Sequence, residues 1–120
     1  MKIIIHEKEG NKIAEIVSDG IIVNTTEDAL DLMVHREVRP ARKIILHKEN
    51  IIPDFFDLRT GIAGEILQKF VNYRVELAIV GDFSKITSEN FKAFMRESNR
   101  GREIFFLETV EQAKEKLGVV

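Results

Sequence analysis

The chain has 120 residues, a formal net charge of −2 and no cysteine. Its length and its 44% hydrophobic content are typical of one soluble globular domain. The near-neutral charge implies neither a nucleic-acid nor a membrane partner, and binding to DNA would need a local basic patch. The absence of cysteine excludes disulfides, thiolate nucleophiles and Cys-based metal sites.

The opening segment, MKIIIHEKEG, carries three consecutive isoleucines that His6 and Glu7 interrupt. A signal peptide needs a longer apolar region, and a membrane-spanning helix needs about 20 apolar residues. The lack of cysteine also suits a reducing compartment. These features together predict a cytoplasmic protein.

The first third of the chain predicts a β-hairpin followed by a helix. Residues 2–6 and 12–17 are rich in β-branched side chains, and Glu-Gly-Asn at 9–11 supplies the turn between them. A brief strand is expected at 21–23. Thr25 then begins a helix, because Thr25 and Asp28 have the spacing of a capping box.

Three nearly continuous apolar runs follow, at residues 43–46 (KIIL), 75–80 (VELAIV) and 104–107 (IFFL). Runs of this kind are typical of strands that are buried on both faces of a parallel sheet. We therefore predict three parallel strands in the remaining part of the chain.

A helix is predicted after each of these strands. The longest has apolar residues at spacings of three and four, namely Phe55, Phe56, Leu58, Ile62, Ile66, Leu67, Phe70 and Val71. The next covers about 87–97 with Phe91, Phe94 and Met95 inward, and the last begins at a Thr109–Gln112 capping box. The order of elements predicts an α/β fold over residues 1–120, as one domain with a mixed, mostly parallel sheet, an N-terminal antiparallel hairpin and about four helices.

The chain shows no recognisable catalytic or metal motif. His47 and Glu49 lie two residues apart, but a zinc site usually needs three or four protein ligands, and His6 and His35 have no partner pattern. We expect structural or solvent-exposed histidines, no cofactor and no bound metal. There is neither a Gly-x-Ser-x-Gly nucleophile elbow nor a P-loop, so we expect a protein that is not an enzyme.

One edge of the predicted sheet gathers polar side chains. Ligands of open α/β sheets usually bind beyond the carboxyl ends of the parallel strands. That edge is expected to hold Asp82 and Ser84 together with Asp57, Arg59 and Gly61, unless these residues are only ordinary caps and turns.

The order of elements resembles the STAS domain of anti-sigma-factor antagonists. In that family a serine before a glycine, at a helix N-terminus, is phosphorylated, and Thr60-Gly61 stands in its place here. The closing Ser/Thr-x-Glu-x-Ala pattern of the family corresponds to Thr109, Glu111 and Ala113. The resemblance implies a STAS-like fold and a phospho-acceptor at Thr60.

The sequence is also similar to an uncharacterised bacterial family of domains of unknown function, DUF family 4180. The segments that carry this similarity are FFDLRTG, AGEILQKF, NYRVELAIVGDFS and RESNRG. It implies no particular activity.

The position of Thr60 in its helix decides between two interpretations. A helix that begins at Pro53 would place Thr60 two turns inside it, with its hydroxyl bonded to the carbonyl of Phe56, and we expect this arrangement. A helix that begins near Thr60 would instead suit a phospho-acceptor. We interpret Gly64 as a packing residue against the sheet and leave Gly61 open between packing and a partner's approach.

These observations predict a non-enzymatic regulatory or protein-interaction module with an unidentified protein partner. The alternative is a small-molecule-binding domain that uses the carboxyl edge of the parallel strands. The exposed edge of the hairpin also favours a homodimer, unless Lys2, Lys8 and Lys12 prevent strand pairing there.

Overall fold

The computed structural model describes residues 1–118, in which five strands form one sheet. The strands and α-helices in chain order are β1 (Lys2–Lys8), β2 (Asn11–Val17), α1 (Thr26–Val34), β3 (Lys43–His47), α2 (Ile62–Asn72), β4 (Glu76–Val80), α3 (Glu89–Arg100), β5 (Ile104–Leu107) and α4 (Val110–Lys116). Three short 3₁₀ turns lie between β3 and α2, at Lys48–Asn50, Pro53–Phe56 and Leu58–Thr60.

The strands hydrogen-bond in the order β1-β2-β3-β4-β5. β1 runs antiparallel to β2, and every other neighbouring pair is parallel. This arrangement confirms the predicted α/β fold with a mixed, mostly parallel sheet, an N-terminal antiparallel hairpin and four α-helices.

The two faces of the sheet are covered unequally. Three helices, α1, α2 and α3, supply the larger apolar core on one face, where Ile44, Leu77 and Phe106 lie among the buried side chains. On the other face α4 alone contributes, through Ala113 and Leu117, to a smaller core. β3 and β4 contribute to both cores because successive side chains of a strand point to opposite faces, which explains their nearly continuous apolar sequences.

Capping boxes fix the residues at which α1 and α4 begin, as predicted. The Thr25 hydroxyl accepts from the Asp28 N–H at 3.2 Å, and the Asp28 carboxylate accepts from the Thr25 N–H. Thr109 and Gln112 make the same reciprocal pair at the start of α4. These two capping boxes satisfy N–H groups that the first turn of a helix leaves without partners.

The middle of the outer edge of β5 is occupied by a side chain of α3. The Asn99 Nδ2 group donates to the Phe106 carbonyl oxygen at 3.0 Å, and the Phe106 N–H donates to Asn99 Oδ1 at 2.7 Å. The carbonyls of Glu103 and Leu107 face β4, and the alternation of a parallel ladder turns the Phe106 groups outward. Asn99 therefore occupies the position that a further strand would take.

Several predicted boundaries differ from the structure. The segment at 21–23 is not a strand and contributes a single bridge, from Val23 to Ile51. The helix expected at 87–97 covers Glu89–Arg100 after a Ser88 cap. Among residues 1–118, no helix combines the length and the apolar character that a membrane crossing requires.

Candidate functional site

The segment before α2 is not the continuous helix that its apolar spacing predicted. Pro53 opens a 3₁₀ turn rather than α2, and a second 3₁₀ turn ends at Gly61. Gly61 has a φ of +76°, in the left-handed region that L-residues adopt at a cost. α2 begins only at Ile62, so the expected helix start at Pro53 is wrong.

Thr60 therefore lies just before a helix N-terminus and is exposed. Its hydroxyl is placed to donate to the carbonyls of Asp54, at 2.9 Å, and Asp57, at 2.8 Å. It also accepts from the Ile62 N–H at 3.2 Å. The predicted bond to the carbonyl of Phe56 is wrong, because the tighter 3₁₀ turns bring different carbonyls to Thr60.

Asp57 and Arg59 form a two-pronged ion pair beside Thr60. Arg59 Nε donates to Asp57 Oδ1 at 3.0 Å, and Arg59 Nη2 donates to Oδ2 at 2.9 Å. The side-chain and backbone hydrogen bonds from Arg59 lower the pKa of Asp57. The Asp57 Oδ1 atom also accepts from the Arg59 N–H at 3.0 Å and so caps the 3₁₀ turn at Leu58–Thr60.

The two glycines of this region have different roles. Gly61 meets the backbone requirement of a left-handed turn, as its φ shows. Gly64 lies in α2, is exposed, and has no atom within 4 Å of the position that a Cβ would occupy. The interpretation of Gly64 as a packing residue is therefore wrong.

Two adjacent grooves lie at the carboxyl edge of the parallel strands. The first, here called the Arg59 groove, has a volume of about 530 Å³ and is lined by Phe56, Asp57, Leu58, Arg59, Lys85, Ile86, Thr87, Ser88 and Asn90. The second, the Asp82 groove, has a volume of about 460 Å³ and is lined by Ile21, Lys48, Glu49, Ile51, Pro53, Phe56, Asp82, Lys85 and Ile86. Phe56, Lys85 and Ile86 line both grooves, so these three side chains lie where the grooves adjoin.

Asp82 begins a tight turn at this edge. Its Oδ1 accepts from the Ser84 N–H at 2.9 Å, and the side-chain and backbone hydrogen bonds of Ser84 lower the pKa of Asp82. Lys48 Nζ donates to the Asp82 carbonyl oxygen at 3.0 Å and lies 5.8 Å and 5.9 Å from the ring centroids of Phe56 and Phe83. The Lys48 ammonium is thus held over two aromatic rings, a favourable position for a cation.

The structure brings together only part of the predicted site. Asp57 and Arg59 line one groove and Asp82 lines the other, whereas Gly61 and Ser84 are outside both. The apolar residues of the grooves, of which Ile21 is 42% exposed, were not predicted as site residues. Its position in a loop rich in turn residues was the available signal.

A second polar cluster was also missed, on the face of the sheet that α4 covers. The Glu15 carboxylate bonds to His6 Nε2 at 2.8 Å and to His47 Nε2 at 2.7 Å. No local sequence pattern marks the pairing of His6 with Glu15, and the partner of His47 is Glu15 rather than Glu49. Within residues 1–118, no group of three or more His, Cys, Asp or Glu side chains is arranged to hold a metal ion.

The family described as a domain of unknown function, DUF4180, matches the chain over residues 8–117. The chain belongs to this family. No curated protein and no solved structure matches the chain. The DUF4180 match spans β2 to α4 and includes both grooves, so both are features of the family region of the chain.

Proposed function

We propose that this DUF4180 chain is a regulatory protein-interaction module of STAS-like type, without catalytic activity of its own, that acts in the cytoplasm. In this proposal a protein partner binds along the Arg59 and Asp82 grooves, and phosphorylation of Thr60 regulates the binding. The observation that carries the proposal is the position of the exposed residue Thr60 just before the N-terminus of α2, beside the ion pair that lines the Arg59 groove.

The chemistry at Thr60 supports a phosphate there. The first turn of α2 leaves backbone N–H groups without intrahelical partners, and the helix dipole favours an anion at this end. Arg59, whose side chain is 90% exposed, lies next to Thr60. Its planar guanidinium group can donate two parallel hydrogen bonds to a phosphate. Phosphorylation would break the present hydroxyl bonds to Asp54 and Asp57 and would bring the phosphate close to the Asp57 carboxylate, so we expect Arg59 to leave Asp57 for the phosphate.

The grooves support a protein partner because they combine apolar side chains with charges of both signs. Ile21, Phe56 and Ile86 form the apolar part, while Lys85 and Asp82 are exposed at the rim. Interfaces with apolar centres and polar rims are typical of specific protein contacts.

Affinity capture from a lysate of the source organism tests the proposed surface. The wild-type chain is compared with Ile21→Ser in the Asp82 groove and with Val34→Ser, which changes another exposed aliphatic side chain at the end of α1. We expect one reproducible partner that wild type and Val34→Ser retain and Ile21→Ser loses. Equal capture by all three variants, or no reproducible partner, would contradict the proposal.

Phosphorylation is tested by peptide mass mapping of the chain isolated from its own cells. We expect phosphate on Thr60 in the wild type and none in Thr60→Val, which retains the branched shape without the hydroxyl. Binding of the captured partner should differ between wild type and Thr60→Glu. Unmodified Thr60 under every growth condition, or phosphate only on other residues, would rule out this part of the proposal.

The same edge supports a second candidate function, the binding of a small molecule. Both grooves have volumes within the roughly 300–1,000 Å³ range of ligand pockets. A thermal-shift screen across metabolites separates the two functions, since a ligand at 100 times its Kd adds about 2.7 kcal/mol to the free energy of unfolding. A stabilising metabolite whose effect Ile21→Ser removes and Val34→Ser retains would favour this candidate over a protein partner.

We also propose that the chain forms a homodimer through β1. β1 is an outer strand of the sheet, and its Ile5 side chain is 41% exposed, which suits pairing with a second copy. Light scattering across a hundredfold range of concentration should give the dimer mass. The monomer mass throughout that range would contradict the proposal.

A further inference from the structure

The sheet has an uneven ladder, and its shortest pairing lies between β2 and β3. β1 pairs with β2 along the whole hairpin, and β3 pairs with β4 along all of Lys43–His47. The parallel pairing of β2 with β3 is confined to Ala14 with Ile44 and Glu15 with Ile45. Within the strands the hairpin is therefore joined to the parallel part of the sheet through a short seam that contains Glu15, and the Val23–Ile51 bridge lies beyond the ends of β2 and β3.

The Glu15 side chain links three strands at this position. Its Oε1 is 2.8 Å from Nε2 of His6 on β1, and its Oε2 is 2.7 Å from Nε2 of His47 on β3. An ionised carboxylate only accepts hydrogen bonds, so each Nε2 must carry the hydrogen. The three side chains are largely shielded, with 9% of Glu15, 21% of His6 and 19% of His47 exposed.

The groups around Glu15 are mostly basic. Ile4 and Ile45 lie directly opposite Glu15 in the register, and the positions on either side of these isoleucines carry His6 and Lys2 on β1 and His47 and Lys43 on β3. Further charged groups belong to the neighbouring elements and are Lys8 on β1, Glu76 opposite Lys43 on β4, and Glu111, Lys114, Glu115 and Lys116 on α4, the helix that covers this face.

Glu15 supplies the only acidic side chain on this face of β1, β2 and β3. Lys43 Nζ is directed to the Leu117 carbonyl oxygen at 2.7 Å. Lys114 approaches Glu111, and Lys116 lies over the ring of Phe105. If Glu15 were neutral, β1, β2 and β3 would carry only basic groups on this face. The negative charge that attracts the two imidazoles would then be absent.

We propose that Glu15, His6 and His47 form a pH-sensitive clasp that fastens the N-terminal hairpin to the parallel strands. When Glu15 takes a proton from solvent, it loses its charge and one acceptor position. The two charge-assisted bonds across β1, β2 and β3 then weaken together. Because the ladder between β2 and β3 is short, the seam opens before the rest of the sheet unfolds.

The direction of the pH dependence follows from the environment of Glu15. Burial raises the pKa of Glu15. The hydrogen bonds from His6 and His47 and the charges of both imidazoles together lower it by more, so the pKa of Glu15 lies below its ordinary value of 4.5. A carboxyl group with a lowered pKa in the folded state stabilises that state fully above the pKa of the unfolded state. The stabilisation is lost as the pH falls through the lowered pKa.

Amide hydrogen exchange, expressed as protection factors at neutral pH and at successively lower pH values, tests the clasp. In the wild type we expect protection of β1 and β2 to fall at least tenfold relative to β4 as Glu15 protonates. Glu15→Gln should show weak hairpin protection at every pH, because the amide oxygen carries no charge. Glu76→Gln, which neutralises a partly buried carboxylate on the same face, should behave like the wild type.

A measurement on the wild type alone keeps the proposal testable if Glu15→Gln does not fold. The carboxyl ¹³C shift of Glu15, followed by NMR, should titrate with the same midpoint as the loss of hairpin protection. Different midpoints would overturn the proposal, as would a simultaneous loss of protection in the hairpin and in β4. Retention of the wild-type pH dependence in Glu15→Gln would also overturn it.

Discussion

Alanine substitutions at Gly61 and Gly64 should change stability in opposite directions, although the two glycines are three residues apart. At neither position does a Cβ meet an atom within 4 Å, so no steric clash enters the comparison. The difference comes from the backbone, because Gly61 has a φ of +76° and Gly64 lies in α2.

The magnitudes follow from these conformations. A left-handed conformation costs an L-residue roughly 1–2 kcal/mol, and alanine recovers about 0.4–1 kcal/mol by restricting the unfolded chain. Gly61→Ala should therefore lower the free energy of unfolding by about 1 kcal/mol. Gly64→Ala should raise it by roughly 0.5–1 kcal/mol, because alanine is the better helix former.

Urea denaturation followed by circular dichroism measures both changes, and an unchanged m-value confirms that the free energies are comparable. Gly61→Asn provides a further control, because asparagine tolerates the left-handed region better than alanine, and it should lose less stability than Gly61→Ala. If both alanine variants shift in the same direction, the assignment of a left-handed turn to Gly61 and a regular helix to Gly64 is refuted.

Three further substitutions test the packing and the hydrogen bonds. Phe91→Ala should lower the free energy of unfolding by about 3–5 kcal/mol, because Phe91 is fully buried and the centroids of four other phenylalanine rings lie 5.5–6.5 Å from its own. A loss below about 1 kcal/mol in urea denaturation would contradict this packing. Asn50→Ala should cost about 1–3 kcal/mol, since the buried Asn50 amide donates to the carbonyls of Ser18 and Gly20 at 2.8 Å. Exchange measurements should locate the increased opening at residues 18–23, and an effect spread evenly over the chain would argue against this role. Thr109→Ala should cost about 1 kcal/mol through loss of the α4 cap, and Thr109→Ser should retain most of that stability in the same denaturation assay.

The elements that could be predicted from the sequence are those with local causes. The run IFFL at Ile104–Leu107 is a strand with the predicted boundaries, because large apolar side chains fill both faces of a sheet that has helices on each side. The capping boxes at Thr25 and Thr109 depend only on residues three positions apart. Such signals require no knowledge of the neighbouring strands.

The start of α2 was mispredicted because periodicity does not distinguish two kinds of helix. Apolar residues at spacings of three and four continue from Phe55 through Leu58 to Ile62, and a 3₁₀ turn also repeats after three residues. The apolar faces of the 3₁₀ turns and α2 thus look like one helix. Gly61 separates the last 3₁₀ turn from α2. The positive φ at this residue, which marks the separation, is visible only in the three-dimensional structure.

The polar sites depended on topology and register. Glu15 and His6 could have been paired from the hairpin register, which places Ile4 opposite Glu15. The contact with His47 also requires β3 to lie beside β2, which no local pattern specifies. The two grooves likewise form only where the segment after β4 packs beside Phe56, a contact that no local sequence pattern specifies. The candidate site was therefore predicted only in part.

The bond between Asn99 and Phe106 has a consequence for assembly. Because the Asn99 side chain occupies the middle of the β5 edge, addition of a further strand is favoured at the other outer strand, β1. In the proposed homodimer, two copies related by a two-fold axis would pair their β1 strands into one ten-stranded sheet, with an Asn99 side chain occupying the middle of each far edge. In that proposed homodimer, loss of the Asn99 amide would free the Phe106 backbone groups at both far edges, where further strands could then pair.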